Sequence, residues 1–277
     1  MKTKNFFSGL LFIATIAIVI SSCRKKDERD SDTGTASDNG LAEITFNDVN
    51  NIADQASTGN LTTYLPTYDS EQKSVLSTCA TITHDTISTP RLLTIDFGSS
   101  NCLCADQRTR RGKILVSYTG RYRDSASTHN ITFDNYFVND NQVLGSKQVT
   151  NNGRNTAGNL VYSIQVNGQI IKASGGTITW TSTRQREWIA GEGTPQWSDD
   201  SYLITGSASG TNAAGNSFVA VITSPLRKNI GCRFMVSGQM SLSPSGKATR
   251  YIDFGNGVCD NQVTVTINGN VYTFNLQ

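Results

Sequence analysis

Histidine is almost missing from this chain: His84 and His129 are the two it carries in 277 residues. Zinc sites draw heavily on histidine, so a histidine-rich metal centre has no material here. Neither sign of charge dominates, with 24 Lys and Arg against 22 Asp and Glu. Nucleic-acid binding wants a basic face, so no nucleic-acid partner is expected. The apolar run from Leu10 to Ile20, broken by Thr15, is too short for a bilayer-spanning helix, which needs roughly 20 residues. A Gly-x-Ser-x-Gly nucleophile elbow is lacking too. Gly206-Ser207-Ala208-Ser209-Gly210 puts serine at the second and fourth positions, in a strand-turn context with no helix to follow. Proline is scarce, at five residues, against 24 glycines and abundant Thr, Ser and Asn. That balance suits many strands joined by tight turns.

What is present begins at the N-terminus. Lys2 and Lys4 give a basic start, the apolar run follows, and Ser21, Ser22 and Cys23 come next. A charged start, a short apolar middle and small residues at the end mark a secretory signal peptide, here residues 1–22. Ile20-Ser21-Ser22-Cys23 resembles a bacterial lipobox. The resemblance implies cleavage before Cys23, a diacylglycerol on its thiol and acylation of the new amine. Several acyl chains together anchor stably, whereas one holds only marginally. The membrane, reached through this lipid, is thus the first expected partner. An ordinary cleaved signal, with Cys23 in a disulfide, is the alternative.

Arg24, and not Asp, follows the cysteine. An Asp there resembles an inner-membrane retention signal, so its absence points to the outer membrane. The run from Arg24 to Asp30 resembles the lysine-then-acid signal that sends lipoproteins of Bacteroidetes-type bacteria to the cell surface. It also reads as a solvated charged tether. Losing Lys2 and Lys4 with the signal leaves 24 − 2 = 22 basic against 22 acidic side chains. Residues 23–40 are expected to be a lipidated, flexible tether, because they offer too little apolar surface to fold.

The remainder, 41–277, reads as an all-β antiparallel meander of many hairpins with one short N-terminal helix. Phe46, Val49, Ile52, Ala53 and Ala56 recur at helix spacing and predict a helix over 44–57. Thr45 with Asp48 resembles a capping box, and Gly59 is a natural stop. Period-two alternation predicts strands over 113–118, 130–138, 161–166, 177–183, 202–208, 218–223, 233–242, 263–267 and 271–276. Asn167-Gly168 and Asn268-Gly269 are expected as type I′ hairpin turns, with Asn139-Asp140 a looser version.

Five cysteines remain beyond Cys23: Cys79, Cys102, Cys104, Cys232 and Cys259. Thiols outside the cytoplasm are expected to oxidise, and an odd number leaves one over. Ile95-Asp96-Phe97-Gly98 before Cys102 is echoed by Ile252-Asp253-Phe254-Gly255 before Cys259. In both copies the cysteine falls four residues after the glycine. Two related β units, near 76–120 and 230–277, are inferred. Each would carry a staple, Cys79 with Cys102 and Cys232 with Cys259. Cys104 could replace Cys102, or Cys102 and Cys104 could pair across the units.

Cys102-Leu103-Cys104, Arg110-Arg111-Gly112-Lys113-Ile114, Thr132-Phe133-Asp134-Asn135-Tyr136, Arg186-Glu187-Trp188 and Ile252-Asp253-Phe254-Gly255-Asn256-Gly257 resemble a family of secreted lipoproteins from Bacteroidetes bacteria. The resemblance covers most of the mature chain. It implies a compartment and brings no activity, because that family has none assigned.

Candidate chemistry is thin. Asp96, Asp134, Glu187, Glu192, Asp199, Asp200 and Asp253 could supply the carboxylate pair of a glycosidase, which must face across a cleft. Asp96 and Asp253, beside repeated glycines, read better as turn acceptors. Asp134, Asn135, Asn139, Asp140 and Asn141 offer oxygen donors without the spacing of a calcium loop and read as a polar hairpin tip. The segment 184–200 is the most unusual. Trp188, Glu192, Trp197, Asp199 and Asp200 place tryptophans beside carboxylates, which suits stacking on sugar rings. The favoured alternative packs Trp188 in the core and makes the rest a long turn. The reading is therefore a non-enzymatic, cofactor-free lipoprotein of the outer membrane, at the cell surface or on its periplasmic face. It would be structural or would bind a surface protein. A glycan-binding module using the 184–200 loop comes second and a secreted hydrolase last.

Overall fold

The computed structural model describes residues 30–57, 79–194 and 197–276, and for Trp197 only its place in the backbone. The signal segment, Cys23, the charges from Arg24 to Arg29 and Gly59 lie outside the described residues. One helix, α1 (Gly34–Ser57), precedes fourteen strands. The first seven are β1 (Thr81–Asp85), β2 (Arg91–Asp96), β3 (Cys102–Leu103), β4 (Thr109–Tyr118), β5 (Thr128–Val138), β6 (Asn141–Arg154) and β7 (Leu160–Ile171). The rest are β8 (Thr177–Ala190), β9 (Ser201–Thr211), β10 (Ser217–Asn229), β11 (Ser237–Pro244), β12 (Arg250–Asn256), β13 (Gln262–Ile267) and β14 (Asn270–Asn275). They form one antiparallel sheet in chain order, β1 at one edge and β14 at the other, with β3 paired on β4. The expected meander is the observed fold. Short turns allow nothing but antiparallel neighbours.

Two of the three expected turns are present. Asn139 and Asp140 (φ 48° and 60°) join β5 to β6, and Asn268 and Gly269 (φ 49° and 79°) join β13 to β14. Both central residues left-handed is the type I′ signature. Asn167-Gly168 is not a turn: β7 runs straight through it. Gly168 serves packing instead. A Cβ there would lie 2.1 Å from Cζ of Phe46, whose ring stacks at 5.5 Å on Trp180 across from Gly168.

The helix begins ten residues earlier than its apolar spacing predicts. Asp32 accepts the Gly34 N–H at 2.8 Å and the Thr33 carbonyl accepts the Ser37 N–H, which starts the first turn. Residues 34–40, read as tether, are thus helical, and Thr45 and Asp48 sit in mid-helix rather than at a cap. Of the 24 helix residues, 16 are buried, polar ones included. The reason lies in the sheet. Leu276 beyond β14 meets Gly40, Trp180 of β8 donates to Asn39, Lys147 of β6 to the Phe46 carbonyl, and His84 of β1 lies 3.2 Å from the Ala56 carbonyl. Strands from both edges and the middle touch α1, so the sheet curls round it. A helix enclosed this way buries polar side chains only where they find partners.

The two echoes have one structure. Asp96 Oδ1 accepts the Gly98 N–H at 2.8 Å, and Asp253 Oδ1 accepts the Gly255 N–H at 2.8 Å. The glycines are left-handed, φ 81° and 97°. Isoleucine and phenylalanine of each copy are buried. Disulfides join Cys79 to Cys102 and Cys232 to Cys259, and Cys104 is a buried free thiol. Each unit is a hairpin and a third strand, β1-β2-β4 and β11-β12-β13, with the bridge before the third.

Opposite the core, the outer face has an unusual composition. The cross-strand row over β5 to β9 reads Asn130, Gln148, Gln165, Thr183 and Ser207. One flanking row reads Thr132, Ser146, Asn167, Thr181 and Ser209. The other reads Thr128, Thr150, Ser163, Gln185 and Thr205. Every position in the three rows is an amide or a hydroxyl.

Candidate functional site

The ends of the curled sheet differ. Near the start of α1, Asp38 takes Lys172 at 2.8 Å and the Ala213 N–H, and Thr35 accepts from Asn212. Near its end, Asn50 donates to the Tyr122 hydroxyl. The connections 119–127, 155–159 and 191–200 therefore lie at the far end, away from residue 30. Glu192 ties them together: its carboxylate pairs with Arg154 at 2.5 Å and its carbonyl accepts from Arg123. Arg123 also lies over the Trp188 ring, 4.5 Å from its centre.

Beneath these connections sits a buried cluster. Arg186, 2% exposed, lies over Tyr202 at 3.5 Å, and Tyr122 stacks on Tyr162 at 4.5 Å. Asp200 is 1% exposed and the Tyr202 hydroxyl approaches it at 3.4 Å. Burial, aided by the charge of Asp54, pushes the Asp200 carboxyl up to about 7. Burial also raises the Tyr122, Tyr162 and Tyr202 hydroxyls. The cluster can hold or release a proton near neutrality, but it lies under the sheet end rather than in a cleft.

The structure separates the sequence-predicted site residues. The expected loop from Arg184 is strand until Ala190, because β8 alternates inward Trp180, Ser182, Arg184, Arg186 and Trp188 with outward Thr, Gln185 and Glu187. Trp188 is in the core, its Nε1–H donating to the Ala190 carbonyl at 2.7 Å, and is not free to stack on a sugar. Glu192 is committed to Arg154. Trp197 belongs to a 3-10 turn, Trp197–Asp199, and its side chain lies outside the described residues. Asp199 is exposed and accepts the Thr194 hydroxyl at 2.9 Å. Asp200 points inward. Arg186 stands in the Arg186-Glu187-Trp188 motif, but the sequence does not mark it as a site residue, nor the three tyrosines. Period-two spacing from Trp180 is the signal that places Arg184 and Arg186 inside.

The other carboxylates are engaged in structure. Glu187 accepts from Asn155 and Asn159, and Asp253 also takes Gln239. On the helix, Glu43 pairs with Arg184 at 2.7 Å, both under 5% exposed, and Asp48 pairs with Arg108 and Arg110. Burial would raise Asp106, but Arg110 and Arg108 outweigh it and hold that carboxyl below the usual range. At the polar hairpin tip, Asp140 pairs with Arg111 and Asn139 accepts the Thr109 N–H. Among the described residues, no group of three His, Cys, Asp or Glu is placed to hold a metal. His129 is packed between Tyr118 and Tyr122, and burial lowers its pKa. In comparisons with protein-family models, with curated proteins and with solved structures, nothing matches this chain.

Proposed function

We propose that the mature protein is a lipid-anchored outer-membrane module, non-enzymatic, that presents a folded β unit close to the membrane. The sequence from Lys2 to Cys23 carries the anchor. The observation that supports the geometry is the early helix start. From Cys23 to Asp30 there are seven steps of chain, at most about 25 Å when extended. That short lead holds the start of α1 and the hairpins around Asn212 and Lys172 toward the membrane, and turns the connections 119–127, 155–159 and 191–200 outward. No described helix is long and apolar enough to cross a membrane. The two disulfides favour an oxidising compartment. The engagement of carboxylates in turns and ion pairs favours a binding or structural role over hydrolysis.

Cys23→Ser tests the anchor. The wild-type chain takes up a palmitate label and sediments with outer membranes, and the variant loses both. Retention of label and membrane fraction by the variant would end this reading.

A further inference from the structure

We propose that the outer face of β5 to β9 binds an uncharged, hydroxyl-rich glycan chain. The inference deepens the binding role just proposed, but moves the site from the 184–200 loop to the sheet.

The three rows described above hold fifteen outward positions and no charge. With 17% of the chain charged, fifteen positions would ordinarily carry two or three such residues, 0.17 × 15 ≈ 2.6. The central row and the row of Ser146 and Asn167 are exposed throughout. A hollow of about 350 Å³ opens in the middle, lined by Asn130, Ser146, Gln148, Gln165, Asn167 and Thr181 among others. Small-molecule sites occupy roughly 300–1,000 Å³. The one charged residue at the hollow is Lys147, and it turns its ammonium inward to the Phe46 carbonyl at 2.7 Å.

Chemistry selects the occupant. Amides and hydroxyls each donate and accept, so they match sugar hydroxyls in either sense. Three rows without charge offer nothing to phosphate, uronate or a cation, and Glu187 at their margin is taken up by Asn155 and Asn159. Strands about 4.8 Å apart set these groups out as a lattice, and sheet positions are rigid, which lowers the ordering cost of binding. Gln148 Nε2 already donates to Asn130 Oδ1 at 2.9 Å across the strands. Among the described residues, the side chains of Gln165, Asn167, Thr181 and Thr183 make no hydrogen bond within the chain, which leaves them to a ligand. A broad shallow hollow suits a chain of sugars lying along the face.

The test is calorimetric titration and amide-resolved NMR of the full mature protein. The probes are cellohexaose, xylohexaose, laminarihexaose and maltohexaose, with oligogalacturonate as the charged control. The expected result is binding of at least one neutral hexaose and none of the galacturonate, with shifts in the side-chain amides of Gln148, Gln165 and Asn167. Gln165→Ala with Asn167→Ala should weaken it at least ten-fold, and Thr181→Lys likewise, with melting unchanged. Trp197→Ala should leave it intact. Binding lost in Trp197→Ala but kept in the double variant would assign the loop and overturn the proposal. So would failure of all four neutral probes, or a dimer seen by ultracentrifugation that the double variant abolishes. None of these outcomes touches the palmitate label at Cys23, so the anchor stands or falls separately.

Discussion

Asp200 shows what burial does to a single group in this core. Its carboxyl is raised to about 7 mainly by loss of water, while in the unfolded chain it titrates near 3.8. The folded state therefore prefers the protonated form. Ionising Asp200 costs nothing below the unfolded value, costs progressively more as pH rises toward 7, and reaches its full cost above that. Asp200→Asn should raise stability by about 1–3 kcal/mol at pH 8 and change little at pH 4. Urea unfolding at the two pH values checks this; an equal effect at both would show that the carboxyl is not strained by ionisation. Tyr202 is two residues away, but the burial itself is not signalled nearby, because Asp54, Arg186, Tyr122 and Tyr162 come from other parts of the chain.

At the scale of elements, one close contact is α1 against β7 and β8. Phe46, Trp180 and Gly168 meet there: the two rings stack and the glycine leaves room for the helix. Adding a methyl at Gly168 overpacks a site with no slack, since Phe46 is 1% exposed and bounded by Phe133 as well. Gly168→Ala should cost about 1–3 kcal/mol, with most of that cost gone in a Phe46→Leu background. A double-mutant cycle by thermal or chemical unfolding measures the coupling; strict additivity would refute the contact. Asn167-Gly168 reads as a turn because it has turn residues between strand-like runs. The same pair is used here to bring a helix close to a strand. Likewise the polar residues 34–40 read as tether, yet each of Thr35, Asp38 and Asn39 has a partner on the curled sheet.

For the whole molecule, the two bridged units, β1-β2-β4 and β11-β12-β13, lie toward opposite ends of one meander, and each bridge closes a local loop. Removing Cys232 and Cys259 together, a separation of 27 positions, should cost about 3 kcal/mol if the loop entropy of the unfolded chain governs. Guanidinium unfolding of the Cys232→Ala, Cys259→Ala protein reads the loss. A non-reduced digest should yield the peptides 79 with 102 and 232 with 259, and Cys104 as the remaining thiol beyond Cys23.

What the amino-acid order determined alone was local or periodic: nine of the fourteen strands (β1, β2, β3, β6 and β12 were not predicted), the true I′ turns, the helix nucleus at Phe46 to Ala56, and the repeated Asp and Cys that pair within each unit. These depend on neighbours a few residues away, or on cysteines close enough in sequence to form one small loop. Only the tertiary structure decided which polar groups go inside. Glu43 and Arg184 are 141 positions apart, and Asp200 owes its state to burial and to Asp54, which sits on the helix. Burial is a property of what surrounds a side chain once the sheet has curled, and no short stretch of sequence contains that neighbourhood.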